Sequence, residues 1–503
     1  EAFLGRTTLA SVAKVAVQLC AGLAVFLLLV VGGVLLTSRP PWTRPRKPWQ
    51  AARHLVDDFA WDKTRPLKIT FLTWGSRGDH QPNIALGLEL ARRGHEVTVL
   101  CLEKYRHLIE RHPPLKPAVC EDSFLWDMAD AMNKPGNEAK SIQICGRYVS
   151  DSAEELVSQY VELGRGADVL IGQCIPFCCL AQFTAAEVLR KPLFFTVHDA
   201  LTTMPTAAYS FDPGVNRISD FGWLRNTLNT RVMPMALGVL TTLSPFSKVR
   251  RLRARLGLTT RYPVMEVLGP RLLASIPTFY TWDTSLWPHP GDFSPHWIPT
   301  GYFVTKGATE PADPAGLKAW VAEQEGTGRQ FISLSAGSFG HIDKRLYTEL
   351  LLDAMKKLNI GAVISATTVD LDVEGARRPD LKVVGDADYE WLFPRCLVVV
   401  HHGGAGTSHS CIRSGRPGVC VPSMHFQELW GAKLQEFGAG VLVTQEELRR
   451  GWNAGKNALL AALQAALQPS VAAKATAIAG ESRRAPGVEL AADKLEEYLR
   501  QIA

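Results

Sequence analysis

The sequence predicts an α/β protein with two doubly wound halves and a cleft between them, preceded by one transmembrane helix. Short apolar runs alternate with segments of helical spacing, which is the pattern of parallel βαβ units. This alternation starts at Leu67 and starts again at Phe331, after proline-rich stretches. A separate apolar run from Val15 to Leu36 is long enough to cross a bilayer, which takes about 20 residues.

The composition fits this layout. The chain has 503 residues, too many for one compact core, and 46% of them are hydrophobic while 21% are charged. The formal net charge is +6, but no basic stripe interleaved with aromatic residues occurs. Nucleic acid is therefore not a predicted partner.

Residues 1–37 are predicted to form a membrane anchor, with the span at about residues 15–36. Gln18 is the only strongly polar side chain in that run. The alternatives are a buried helix or a signal peptide, which has a shorter apolar core and a small-residue cleavage site. Here the run meets Arg39 and Pro40 instead, which favours the anchor.

The flanks of the span predict its orientation. Basic residues follow it with no acid before Asp57, and the positive side of a span normally stays in the cytosol or its equivalent. We therefore expect a single-pass protein whose large domain lies on the cytosolic or matrix side. The organelle stays open, and the mitochondrial inner membrane would fit if a targeting peptide had been removed. Residues 38–66, rich in Pro, Arg and Trp, are expected to be a juxtamembrane tether, with Trp42 and Trp49 at the interface.

The first half is predicted to cover residues 67–309. A strand at Leu67–Trp74, a loop at Gly75–Pro82, a helix at Asn83–Arg93 and a strand at Val97–Leu102 make one βαβ unit. Further strands are predicted at 167–171 and 193–197. Clustered basic residues, interpreted as a solvated helix face with membrane docking as the alternative, are Lys248, Arg250, Arg251, Arg253 and Arg255.

The second half is predicted to cover residues 310–486. Proline-rich stretches at Pro288–Pro299 and Glu310–Pro314 look like an interdomain linker. The predicted helix is at 346–358, and the predicted strands are at 331–334, 362–364, 381–384, 397–400 and 419–421. The tail, residues 487–503, carries an amphipathic helix at Val488–Ile502 that is expected to pack back on the N-terminal half.

Three loops of these halves are expected to meet in the cleft, because ligands of such folds bind at the carboxyl ends of strands. The most informative follows the apolar run Leu397–Val400, where two histidines and a glycine-rich turn open a helix. Such a turn offers free backbone N–H groups to a phosphate or diphosphate, although an ordinary βα connection is the alternative. The other two are Gly75–Pro82, which lacks a dinucleotide-binding G-x-G-x-x-G, and Gly337-Ser338.

Five segments carry a likeness to a known family in the same order along the chain: Ile69–Pro82, Ala167–Ile171, His296–Tyr302, Trp391–Cys396 and His401–Thr407. Together they resemble the UDP-glycosyltransferases of the sterol-glucosyltransferase type, to which glycopeptide-antibiotic glycosyltransferases are close. The resemblance runs from about Leu67 to the C-terminus. The ordered set of motifs is specific, although each motif alone is weak.

The resemblance implies two Rossmann-like domains, the GT-B fold, and inverting transfer from a UDP-sugar to an acceptor hydroxyl, with no metal ion and no other cofactor. The N-terminal half would bind the acceptor and the C-terminal half the donor. Asp79 matches the family's general base, with His80 as a second choice. The expected donor-binding residues are Gly75, Ser76, Arg77, Gly337, Ser338, Trp391, Leu392, His402, Gly403, Gly404, Ala405, Gly406, Thr407 and Gln427.

The residues themselves qualify these roles. A helix N-terminus can stabilise a leaving diphosphate without a metal, and the Asp-x-Asp pairs at Asp370–Asp372 and Asp386–Asp388 are interpreted as solvated loops. An ordinary aspartate has a pKa near 3.9, and a nearby helix N-terminus is expected to lower the pKa of Asp79 further. Asp79 would then act mainly through positioning, and the alternative is that it caps the helix predicted from Asn83.

One departure leaves two hypotheses open. Phe426 and Gln427 stand where the family usually has an acidic residue and Gln that bind sugar hydroxyls, and Phe426 cannot accept a hydrogen bond. Either the donor sugar differs from glucose, or His425 or Glu428 replaces the missing acid, or donor turnover has been lost. The first hypothesis is a membrane-anchored enzyme that glycosylates a lipid, sterol or other hydrophobic acceptor. The second is a degenerate glycosyltransferase that serves as a structural or accessory subunit beside other membrane-protein subunits.

Overall fold

The computed structural model describes residues 47–62, 64–120, 151–173, 179–198, 247–258, 273–289, 291, 293–305, 316–337, 344–366, 378–385, 387–422, 427–444, 446–447 and 452–503. The predicted span at residues 15–36 lies outside these residues. Within them, no helix combines the length and the apolar character that a membrane crossing requires.

The N-terminal domain is built on a parallel sheet of seven strands in the order β3-β2-β1-β4-β5-β6-β7. The register places Thr70 opposite both Thr98 of β2 and Leu170 of β4. The strands are β1 Lys68–Phe71, β2 Glu96–Leu102, β3 Leu115–Cys120, β4 Val169–Gln173, β5 Leu193–Val197, β6 Thr278–Tyr280 and β7 Trp297–Pro299.

The C-terminal domain has a parallel sheet of six strands in the order β10-β9-β8-β11-β12-β13. The strands are β8 Phe331–Ser335, β9 Gly361–Ser365, β10 Leu381–Val384, β11 Val399–His401, β12 Gly418–Cys420 and β13 Gly440–Leu442. The strand order reverses between β1 and β4 in the first sheet and between β8 and β11 in the second. Ligands bind at such reversals, beyond the carboxyl ends of the strands. The predicted pair of α/β domains is confirmed.

Helices surround both sheets. The α-helices are α1 Arg77–Arg92, α2 Arg106–Glu110, α3 Ala153–Gly164, α4 Cys179–Leu189, α5 Ser247–Arg255, α6 Leu317–Thr327, α7 Lys344–Leu358, α8 Tyr389–Leu392, α9 Ala405–Ser414, α10 Glu428–Glu436, α11 Trp452–Ala466, α12 Pro469–Ser482 and α13 Val488–Ile502. Short 3-10 turns lie at Arg53–Leu55, Glu103–Tyr105, Leu273–Ser275 and Phe393–Arg395.

The loop predicted at Gly75–Pro82 is wrong over most of its length. Helix α1 begins at Arg77, and Pro82 lies inside it. The glycines and charged residues of this segment predicted a loop. The structure continues the helix through Pro82, although proline removes a backbone donor from a helix interior. The side chain of Asp79 accepts a hydrogen bond from the backbone N–H of Ser76, at 2.6 Å, and this closes the helix start.

The predicted tether is also wrong for its second part, because residues 47–62 pack on the N-terminal domain. Trp49 is fully buried, and its Nε1 donates to the carbonyl oxygen of Leu193 at 3.1 Å. Its ring lies edge-on to Phe194, with centroids 5.1 Å apart, and to Tyr498, at 6.0 Å. Tryptophan suits a membrane interface, and it also suits a protein core in which its N–H has one hydrogen-bond partner. Trp49 lies in the core.

The proline-rich stretch Pro288–Pro299 is not simply a linker. Its last residues form β7, the edge strand of the first sheet, and Trp297 is buried there. Its Nε1 donates to the carbonyl oxygen of Leu273, at 3.0 Å. Proline is tolerated at a sheet edge because a ladder donor is not needed on the open side, so Pro299 did not exclude a strand.

The C-terminal helix α13 lies against the N-terminal domain. Arg93, at the end of α1, forms ion pairs with Asp493 at 2.7 Å and with Glu496 at 3.3 Å. Tyr498 places its hydroxyl 3.2 Å from Nδ1 of His296. The chain therefore returns to its first domain after completing the second.

The basic cluster of α5 is largely paired within the domain. Lys248 pairs with Asp151, Arg255 with Glu154 at 3.0 Å, and Arg253 with Glu187. Arg253 is buried, which corrects the interpretation of a wholly solvated face. These ion pairs do not favour membrane docking, because the charges already have partners in helices α3 and α4 or beside them.

Candidate active site in the cleft

The first turn of the site joins β1 to α1. Gly75 has φ +119°, and a Cβ atom there would lie 2.3 Å from Oδ2 of Asp79. Only glycine fits, since any side chain would meet that carboxylate and adopt an unfavourable backbone conformation. Gly75 therefore leaves space for the carboxylate of Asp79, and both belong to the predicted site.

Asp79 has an unusual environment for a carboxylate. It accepts hydrogen bonds from the N–H of Ser76 at 2.6 Å and from the hydroxyl of Ser76 at 3.0 Å. Close packing by protein nevertheless raises the pKa of Asp79 to about 6, because lost hydration of the charged form outweighs these two bonds. The expectation of a lowered pKa is wrong, and the alternative of a cap is right in part, since Asp79 closes α1 from its third position.

A buried polar network fixes this turn to the sheet. Gln173, the last residue of β4, donates from Nε2 to the carbonyl oxygen of Asp79 at 3.0 Å and accepts from the N–H of Trp74 at 2.7 Å. Asn83 donates to Oγ1 of Thr73 at 3.0 Å and accepts from Thr196 at 3.1 Å. Sequence reasoning missed these positioning residues. The available signal was a polar residue at the end of a buried strand.

His80 is placed differently from Asp79. It is fully buried, its Nδ1 lies 2.8 Å from the carbonyl oxygen of Ser76, and its ring lies 4.9 Å from that of Tyr105. Burial lowers the pKa of His80 to about 4, so the ring is neutral at pH 7 and Nδ1 is the donor. Because no surface of His80 is exposed, the acceptor cannot reach it in this conformation.

The second turn joins β11 to α9. Gly404 is the N-cap of α9, and no side chain caps this helix. The first N–H groups of a helix have no partner inside it, so those of Ala405, Gly406 and Thr407 are available to an anion. Gly403 has φ +79°, and a Cβ atom on it would lie 2.5 Å from the carbonyl oxygen of Gln427.

The two histidines before this turn have different places. His401 is fully buried, and its Nδ1 accepts from the N–H of Gly403 at 3.2 Å. Burial lowers the pKa of His401 to about 3, so it is a neutral brace of the turn. The side chain of His402 is partly exposed, and its backbone N–H donates to the carbonyl oxygen of Ser335 at 3.2 Å.

The ring of His402 fills the space between two predicted glycines. A Cβ atom on Gly337 would lie 2.4 Å from Nε2 of His402, and one on Gly404 would lie 2.3 Å from it. The absence of a side chain at Gly337, after β8, thus leaves space for the ring of His402. Ser338, predicted as a further phosphate contact, lies outside the described residues.

Polar and aromatic residues after β10 complete this side of the cleft. The hydroxyl of Tyr389 lies 2.7 Å from Oγ of Ser335, and the guanidinium group of Arg395 lies 4.5 Å from the ring centroid of Trp391. Trp391 keeps some exposure, as a base-stacking residue requires. Leu392 is buried in the domain core, so its side chain has a packing role and does not face a ligand.

Gln427 lies beside the second turn but is almost fully buried, and it immediately precedes α10. Its carbonyl oxygen is the atom that leaves no room for a side chain on Gly403. Phe426 lies outside the described residues. The part of the site that would bind the sugar is therefore represented here by Gln427.

Tyr302, from the first domain, lies beside the second turn. It follows β7, and its hydroxyl lies 3.2 Å from the position of a Cβ atom on Gly406. Burial raises the pKa of Tyr302, Glu390 raises it further, and the positive charges of Arg413 and Arg77 oppose them. Arg77 belongs to the first turn, so the charge of that turn acts on a residue whose hydroxyl lies beside the second. No local sequence pattern predicts the contact of Tyr302 with Gly406.

Carboxylates of the Asp-x-Asp pairs are accounted for only in part. Asp388 caps α8, because its side chain accepts from the N–H of Glu390 at 2.9 Å. Asp370, Asp372 and Asp386 lie outside the described residues. In the part of the chain that is described, no three His, Cys, Asp or Glu side chains are grouped as a metal site.

Comparison with known sequences relates the chain to two groups. Residues 349–497 match the model of the family described as Erythromycin biosynthesis protein CIII-like, C-terminal domain. Sterol 3-beta-glucosyltransferase of Saccharomyces cerevisiae is 23% identical over 75% of this chain and 31% of its own length. The protein of the same name from Cryptococcus neoformans is 26% identical over 79% of this chain and 26% of its own length. The chain thus spans about a third or less of these relatives.

Solved structures share the fold. The glycotransferase of kitacinnamycin superposes with a TM-score of 0.59 at 17% identity, covering 86% of this chain and 99% of its own. The calicheamicin glycosyltransferase gives a TM-score of 0.59 at 17% identity, covering 88% of this chain and 100% of its own. At this identity the likeness concerns the arrangement of two domains around a cleft.

Proposed function

We propose that the chain is an inverting glycosyltransferase of the UDP-glycosyltransferase superfamily, acting on a UDP-sugar and an acceptor hydroxyl, a proposal that the family match over residues 349–497 and the likeness to sterol 3-beta-glucosyltransferases support. One observation carries the proposal. A partly buried carboxylate with a raised pKa lies in the turn after β1, and a helix N-terminus without a side-chain cap lies in the turn after β11, each beyond the carboxyl end of a strand at a reversal of strand order. The first suits proton removal, and the second suits a departing diphosphate.

Asp79 is the proposed base. Its carboxylate takes the proton of the acceptor hydroxyl, the acceptor oxygen attacks the anomeric carbon, and the bond to the diphosphate breaks on the opposite side. A pKa of about 6 makes Asp79 a stronger base than an ordinary aspartate while leaving it mostly ionised at pH 7. His80, buried and neutral, has no step in this scheme.

The diphosphate is proposed to bind at α9. Its growing negative charge would be met by the N–H groups of Ala405, Gly406 and Thr407, and by the imidazole of His402. These donors are fixed before the reaction, because Gly403, His401 and Ser335 hold the turn and His402 in place. The scheme uses no metal ion. Trp391, supported by Arg395, is the proposed platform for the nucleotide base.

The acceptor class is proposed from two sources. The relatives named above are sterol 3-beta-glucosyltransferases, and residues 15–36 are apolar enough in sequence to anchor the chain in a bilayer. We infer a lipid, sterol or other hydrophobic acceptor that the enzyme meets at a membrane surface, with the catalytic domains on the cytosolic or matrix side.

A second candidate function rests on specific residues. The carboxylate of Asp79 already accepts two hydrogen bonds from Ser76, and Phe426 replaces the acid that usually holds the sugar. A chain that keeps the fold but has lost turnover could serve as an accessory subunit of a membrane complex. In that case Asp79 would be retained as the cap of α1 alone.

A thermal-shift panel of nucleoside diphosphate sugars, paired with a transfer assay on sterol and lipid acceptors, separates the candidates. We expect a UDP-sugar to raise the unfolding temperature of the wild-type chain and of His107→Ala, which changes an exposed histidine of α2 that is not among the proposed donor-binding residues. The shift should be lost in His402→Ala. Stabilisation without transfer to any acceptor would favour the accessory subunit, and no stabilisation by any nucleotide would contradict the proposed enzyme.

A further inference from the structure

Tyr302 stands where the two domains meet. It follows Gly301, whose φ of +90° turns the chain directly after β7, and a Cβ atom on Gly301 would lie 2.6 Å from Cβ of Ala485. Tyr302 thus follows the last strand of the first domain and contacts α9 of the second domain. In the sequence, Tyr302 is only the last residue of the motif His296–Tyr302.

The ring of Tyr302 is held by an aromatic stack that draws on both domains. It stacks on His409 of α9, with centroids 4.4 Å apart and planes at 14°. His409 lies edge-on to Trp430, at 4.7 Å, and Trp430 lies edge-on to Trp287 of the first domain, at 4.5 Å. Burial lowers the pKa of His409 to about 3, so it is an uncharged packing partner, and its two ring nitrogens accept or donate no hydrogen bond.

The stack aims the hydroxyl of Tyr302 at the open end of α9. The hydroxyl oxygen lies 3.2 Å from the position of a Cβ atom on Gly406, the second residue of that helix. Among the described residues, none forms a hydrogen bond with this hydroxyl. Burial raises the pKa of Tyr302, so the hydroxyl stays protonated and can donate.

We propose that the Tyr302 hydroxyl donates a hydrogen bond to the diphosphate bound at α9, as a binding residue supplied by the segment between the domains. This inference rests on the proposed function. It accounts for Gly406, because a side chain there would crowd the hydroxyl out of this position. It also accounts for a polar tyrosine held in a stack where phenylalanine would pack equally well.

The matched substitution is Tyr302→Phe, which removes the hydroxyl and keeps the stacked ring. Binding of UDP and of uridine to the 503-residue chain is measured by calorimetry, with Tyr498→Phe as a control that removes a hydroxyl from α13. A hydrogen bond to a charged group is worth enough to weaken UDP binding by about tenfold or more. Uridine has no phosphate, so its affinity should not change, and Tyr498→Phe should bind both probes as the wild type does.

Three outcomes would overturn the assignment or its basis. Equal UDP affinity in Tyr302→Phe and wild type rejects the hydrogen bond. Equal weakening of UDP and uridine shows a structural role instead. If the wild type binds no UDP, the proposed function fails first. A second variant, Gly406→Ala, keeps the Tyr302 side chain but places a methyl group 3.2 Å from its hydroxyl. This methyl group should weaken UDP binding and spare uridine, and unchanged UDP affinity there would place the phosphate elsewhere.

Discussion

The turn before α1 and the turn before α9 resemble each other in backbone layout, but only the first is closed by a side chain of its own helix. Each follows a parallel strand next to a reversal of strand order, and each uses glycine to start a helix. In the first turn the carboxylate of Asp79 occupies the N–H of Ser76, so the start of α1 is satisfied by its own chain. In the second turn Gly404 has no side chain to offer, and the start of α9 stays open.

This contrast indicates how a single type of turn could supply both parts of the proposed reaction. A capped helix start immobilises a carboxylate, and the surrounding protein raises its pKa to about 6. An uncapped helix start keeps its N–H groups for an external anion. The proposed base and the proposed anion site thus differ in whether one acidic side chain closes the helix start.

The largest effect is expected from Asp79→Asn. The amide keeps the size of the side chain but cannot take a proton, so kcat/KM should fall by about 10²- to 10⁴-fold. UDP binding should be much less affected, because the second turn is unchanged. The control is Asp388→Asn, which alters a cap of similar kind on α8. Undiminished transfer by Asp79→Asn would reduce Asp79 to a cap and remove the proposed contrast.

A smaller effect is expected from Gly404→Ala. Its added methyl group would lie 2.3 Å from Nε2 of His402, so the imidazole must move away from the open helix start. Overpacking of this kind costs about 1–3 kcal/mol, and UDP affinity should fall as well. Thermal unfolding and calorimetry measure the two effects. The matched control is Gly326→Ala, where a Cβ atom meets nothing within 4 Å.

If Gly404→Ala bound UDP as tightly as the wild type, His402 would have no part in the donor site. If Gly326→Ala lost stability to the same extent, the loss would reflect alanine at glycine sites in general. Alanine favours helix over glycine by about 1 kcal/mol, so we expect the control to be neutral or more stable.

Local patterns predicted much of this architecture. Strand β5 and helix α13 match the predicted bounds, and the turn at His401–Thr407 lies where strand and helix signals meet. What failed was set by tertiary context. The glycines and charges of Gly75–Pro82 predicted a loop where α1 begins, and Trp49 suited a membrane interface as well as a core.

The candidate site was predictable only as separate pieces. The residues of each turn follow from sequence motifs, whereas the pKa of Asp79 depends on how closely the folded chain surrounds it. Likewise, the contact of Tyr302 with Gly406 joins residues of two domains, and no local spacing encodes it. Hydrophobic periodicity reports which face of an element is buried and not what lies opposite that face.

The smallest effect concerns the pH dependence of transfer. The proposed base must be ionised, so kcat/KM should rise about tenfold per pH unit below 6 and level off above it. Ser76→Ala removes a hydroxyl donor that stabilises the ionised carboxylate, while the N–H of residue 76 remains. The pKa of Asp79 should therefore rise further, and the acid limb should move to higher pH by less than about one unit.

The comparison is with Asp79→Asn, whose residual activity should show no limb near pH 6 because the titrating group is absent. A limb that stays in Asp79→Asn belongs to another group. A limb that moves to lower pH in Ser76→Ala would show that the hydroxyl opposes ionisation. The hydrogen bonds from Ser76 that close α1 also keep the pKa of Asp79 below the value that burial alone would give. Either result would therefore show that the group seen in the pH profile is not the Asp79 carboxylate held by these bonds.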